Sequence, residues 1–161
     1  MARPFIFVLG IILLTSCRAY RIYPTEYRDF SNSDTKKKAF VLNPDLAKEY
    51  VIFKNADIFS LVDDSLAADV VKIRLLPMDR RLACGNGAFL TLFTVGQLPV
   101  LYTDRYFYKF EEISENMKTE KEFELQVATI VWFWNIFSSQ KNFNKQAGQA
   151  LLASYYKKSS S

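Results

Sequence analysis

Histidine is absent from all 161 residues. That removes the commonest general base, the commonest metal ligand and the usual switch near neutral pH. Cysteine occurs only twice, at Cys17 and Cys84. Glycine and proline occur five times each, too few for a low-complexity or collagen-like chain. Charge of one sign is also scarce: the formal net charge is +4, spread along the chain, which does not argue for nucleic acid. No run is apolar and long enough for a comfortable membrane span, which needs about 20 residues. What is abundant is apolar and aromatic side chain, 50% and 16% of the chain. That composition supports a folded core, and the length suits one domain.

The most organised stretch is the start. Arg3 supplies a positive charge, and residues 5–14 are apolar apart from Gly10. Ten residues of helix cover about 15 Å, half of a hydrocarbon core. A charged start, a short apolar core and small residues after it form the layout of a secretory signal peptide.

The end of that leader, Leu14-Thr15-Ser16-Cys17, resembles the lipobox of bacterial lipoproteins, in which an aliphatic residue and two small residues precede a cysteine. The resemblance implies a diacylglyceryl group on the Cys17 sulfur and cleavage between Ser16 and Cys17. It also implies fatty acylation, of the palmitate type, on the new amino group. Two or more chains hold a protein stably on a bilayer where one holds it marginally. Arg18 follows the cysteine, and by resemblance to enteric lipoproteins the lack of Asp there favours the outer over the inner membrane. Two other readings stand beside this one: a secreted soluble protein cut after Ala19, and an uncleaved buried segment. If Cys17 is acylated, Cys84 has no intramolecular partner, and no disulfide is needed in a core of this size.

Residues 18–35 read as a tether, with Tyr20, Tyr23, Tyr27 and Phe30 either at headgroup level or packed back onto the domain. Lys36-Lys37-Lys38 is a short basic run that reads as solvated chain or as a contact for an anionic surface. Asn43-Pro44-Asp45 is expected to cap a single helical turn ending near Glu49. Tyr50-Val51-Ile52-Phe53, residues 58–62 and residues 69–76 read as strands. In the last of these Val71, Ile73 and Leu75 alternate with Lys72 and Arg74, the pattern of a sheet with one wet face.

Cys84-Gly85-Asn86-Gly87 is a turn, and residues 88–101 are a greasy strand bent between Gly96 and Pro99. Thr103-Asp104-Arg105 is expected to turn the chain, so that Val100-Leu101 pairs with a strand over 106–113. Residues 114–121 read as a polar loop. Residues 122–134 suit either helix or strand, and their β-branched content favours strand. Residues 142–156 form the best helix, with Phe143, Ala147, Ala150, Leu151, Ser154 and Tyr155 on one face.

Candidate chemistry is thin. Cys84 lacks a histidine to activate it. Asp63-Asp64 and Glu111-Glu112 are adjacent pairs and not ligand constellations; in a strand Glu111 and Glu112 face opposite ways. Asn86-Gly87 and Gly96 make no phosphate-binding pattern. Tyr106, Phe107, Tyr108 and Phe110 with Arg105 and Lys109 resemble a stacking platform, for which cross-strand packing is the ordinary explanation.

The expected fold is α+β: a mainly antiparallel sheet of about five strands with a C-terminal helix. The expected partition is signal peptide 1–16, lipidated tether 17–39, a single domain 40–158 and a tail 159–161. The expected function is a non-enzymatic, structural or interaction lipoprotein of the envelope, without cofactor or metal. It is held to a membrane through Cys17 and works with an envelope protein partner not specified by sequence. A lipid- or glycan-binding module with a groove near 88–110 is the alternative.

Overall fold

A computed structural model describes residues 18–31, 35–65, 69–81, 100–114, 117–132, 135 and 142–159. The leader with Ser16 and Cys17, and the stretch containing Cys84, Asn86-Gly87 and Gly96, lie outside them.

Among the described residues seven strands form one sheet: β1 (Arg18–Tyr23), β2 (Lys38–Val41), β3 (Ser60–Leu61), β4 (Val70–Leu75), β5 (Asp79–Arg81), β6 (Val100–Ser114) and β7 (Met117–Val131). Two helices accompany them, α1 (Ala47–Ala56) and α2 (Phe143–Ser159). The strand order is β1-β7-β6-β4-β2-β3, with β5 also on β6. The α+β class and the C-terminal helix stand. The expected five mainly antiparallel strands are corrected to seven strands in a mixed sheet, because β2 runs parallel to both β3 and β4.

The cause of that error is α1. Parallel neighbours need a crossover, and Tyr50-Val51-Ile52-Phe53, expected as a strand, lies inside the helix that supplies it. Local β-branched and aromatic content points to strand, but the buried set Ile52, Phe53 and Ala56 recurs at helical spacing. Packing therefore overrides propensity. The helix begins after Leu46, not at Asn43, and ends at Asp57 in the left-handed region (φ 53°). Asn43 has another task. Its side-chain amide donates to the Leu75 carbonyl at 2.9 Å and its side-chain oxygen accepts from the Leu75 N–H at 2.8 Å, extending the ladder past β2.

The long strands β6 and β7 make the spine. They pair antiparallel from Val100↔Val131 to Ser114↔Met117. The expected turn at Thr103-Asp104-Arg105 is corrected, since it lies inside β6, and so is the polar loop at 114–121 as far as it is described, since Ser114 ends β6 and residues 117–121 belong to β7. The strand reading of 122–134 holds through Val131. Along the far side of β6, Leu75 pairs with Phe110 while Asp79 pairs with Phe107. Four steps on one strand thus match three on the other, an extra residue around Pro77, which has no N–H to give the ladder.

The tether reading is corrected for residues 18–31, which pack onto the domain. Arg18–Tyr23 pairs with β7 along its whole length, and Ile22 is buried. Tyr20, Tyr27 and Phe30 pack back onto the core. The Gln149 amide of α2 donates to the Phe30 carbonyl at 2.5 Å, fastening this segment to the helix. Lys38 opens β2, so the basic run also enters the sheet.

Both helices lie on one face. Phe53 meets Phe110 edge-on, and Phe143 meets Tyr20 and Tyr106. Tyr106, Tyr108, Phe110, Phe123, Leu125 and Val127 are buried beneath them. Asn142 caps α2, its side-chain oxygen accepting the Lys145 N–H at 3.2 Å.

Candidate functional site

Two places on the sheet combine unusual chemistry with position. One is the end where β1 starts, next to Cys17. The other is a buried carboxylate, Asp104, on the helix-covered face.

At the first, Arg18, Val131 and Val100 are level with one another on three adjacent strands. One position further in, Ala19 pairs with Ile130 and Ile130 with Leu101. Ala19 and Ile130 are buried on the face away from the helices, whereas Leu101 is 51% exposed. A cut after Ala19 would remove two residues from β1, one of them a buried pairing partner. A cut before Cys17 leaves β1 whole.

The Asp104 site follows from β6 being continuous. Asp104 falls on the same face as Tyr106, Tyr108 and Phe110, and burial comes with that position. A buried carboxylate needs a partner. The Arg80 guanidinium of β5 donates at 2.6 Å and the Tyr106 hydroxyl at 3.3 Å, both to Oδ2. Arg80 also lies over the Tyr106 ring, 5.7 Å from its centroid. The bond to Asp104 raises the Arg80 pKa above its ordinary value, despite some desolvation. Burial pushes the Tyr106 hydroxyl up to about 12, helped by the Asp104 charge and opposed by Arg80. Burial raises the Tyr108 hydroxyl further; it donates to the Glu49 carbonyl at 2.7 Å. In this arrangement Asp104 ties β5 to β6 through Arg80. Sequence reading missed it by treating residues 103–105 as a turn. The available signal was the alternation Asp104, Tyr106, Tyr108, Phe110.

The remaining candidates separate. Glu111 and Glu112 are on opposite faces, as expected. Glu112 pairs with Lys121 at 2.8 Å under Tyr155, while Glu111 lies 3.9 Å from Arg74 on the open face. Desolvation is the largest influence on Lys121 and works against its charge, but the bond to Glu112, the Glu112 charge and Tyr155 together outweigh it and the Lys121 pKa is raised; burial raises that of Tyr155. Asp63 and Asp64 are exposed. The supposed stacking platform is divided: Tyr106, Tyr108 and Phe110 are core, while Phe107 lies on the open face under Arg81, 4.6 Å from its ring centroid. That open face carries the ion pairs Arg105–Glu124 (3.5 Å) and Lys109–Glu122 (3.6 Å). Lys36 is bonded to Asp57. Among the described residues, no group of three or more His, Cys, Asp or Glu side chains is gathered as metal ligands would be.

No protein-family model matches the chain. No curated protein matches it. Among solved structures, a minor lipoprotein from Acinetobacter baumannii is similar at 16% identity and a TM-score of 0.30, covering 78% of this chain and 87% of that one. A likeness of that size fixes neither fold nor function.

Proposed function

We propose that this chain is a lipid-anchored envelope lipoprotein of non-enzymatic, structural or interaction type, acylated on Cys17 and more suited to the outer than the inner membrane. The observation that carries the reading is the position of β1. Its first residue is Arg18, so cleavage between Ser16 and Cys17 keeps every described element, while cleavage after Ala19 takes away part of a paired strand. The lipobox-like Leu14-Thr15-Ser16-Cys17 supplies the chemistry and the short leader supplies the route. No helix among the described residues is long and apolar enough to cross a membrane, which leaves attachment to the acyl chains in this reading.

Holding a domain at a membrane face raises its effective concentration for a partner confined to the same face. The lipid- or glycan-binding alternative loses its best aromatic residues, because Tyr106, Tyr108 and Phe110 are packed in the core. Metabolic labelling with a fatty acid tests the reading. Label is expected in the native protein and absent from Cys17→Ser; label that survives the substitution sinks it.

A further inference from the structure

We draw no further inference here: the strongest candidate, the patch on the open face of the sheet where half-buried Phe40 and Ile113 flank Lys72 beside Arg74 and Glu120, is bordered by charges of both signs, and nothing in the structure shows what covers it.

Discussion

Gly148 sits where the two helices touch. A β-carbon built on it would lie 2.7 Å from the carbonyl carbon and Cβ of Asn55 and 2.8 Å from the Ala56 nitrogen. Carbon atoms prefer about 3.5–4.0 Å, so Gly148→Ala demands that α2 retreat from α1 by roughly 0.8–1 Å. Two of the three obstructing atoms are backbone and cannot rotate away. Leu151 and Leu152, three and four residues on, share this face and are buried, so a retreat loosens their packing as well. Overpacking of this kind costs about 1–3 kcal/mol. Alanine recovers about 0.8–1 kcal/mol of helix propensity. The backbone clash places the cost near the top of its range, so a net loss of about 1–2 kcal/mol is expected. For a domain of this size that lowers Tm by about 5 °C. Urea unfolding followed by circular dichroism should show a lower midpoint with an unchanged slope. Lys145→Ala, at an exposed position on the same helix, should stay within about 0.5 kcal/mol of the parent. A Gly148→Ala protein as stable as the parent, or more so, would mean that propensity dominates and that the close helix contact is not there.

Further tests address the charges. Arg80→Ala strips the buried Asp104 carboxylate of its cation, and a double-mutant cycle with Asp104→Ala should give a coupling of about 1–2 kcal/mol in urea unfolding; coupling below about 0.5 kcal/mol would deny the pair a structural role. Tyr106 holds its proton more tightly when folded, since burial raises its pKa from 10.0 to about 12. The unfolded chain therefore binds fewer protons in that interval, and the stabilisation present below pH 10 is lost as pH rises toward 12. Absorbance titration at 295 nm should show a late fraction among the nine tyrosines that shrinks in Tyr106→Phe, and an unchanged late fraction would refute the assignment. Glu120 directly opposes Glu111 across β6 and β7. Reversing one charge with Glu120→Lys should raise stability by about 0.2–1 kcal/mol in the same unfolding assay, and a decrease would count against this register.

The legible and illegible parts of the fold have different physical origins. Residues 69–76 and α2 were readable because a single period runs through each, two in the strand and near 3.6 in the helix, with polar residues on the exposed side. α1 was not, because Tyr50-Val51-Ile52-Phe53 has strand-like composition and is helical only through what it packs against, Phe59 and Phe110 among them. The missed helix hid the crossover, and with it the parallel pairing of β2. β1 was misread for the opposite reason. It is a short edge strand in which Arg18 and Arg21 give the composition of solvated chain, although Ala19 and Ile22 are buried and Ile22 pairs with Val127. At the candidate site, Asp104 was hidden by the habit of reading Thr-Asp-Arg as a turn. Fifteen consecutive residues of β6 pass straight through it. Arg80 is its partner through a pairing between distant segments, which local pattern does not encode.

The measurement that bears most directly on the account is the N-terminal peptide of the protein isolated from membranes, weighed by mass spectrometry after proteolysis. The account expects a peptide that begins at Cys17 and carries a diacylglyceryl group with an amide-linked acyl chain. A peptide that begins at Tyr20 would mean conventional secretion with β1 cut short. One that retains Met1 would mean that no processing takes place, and either result would contradict it.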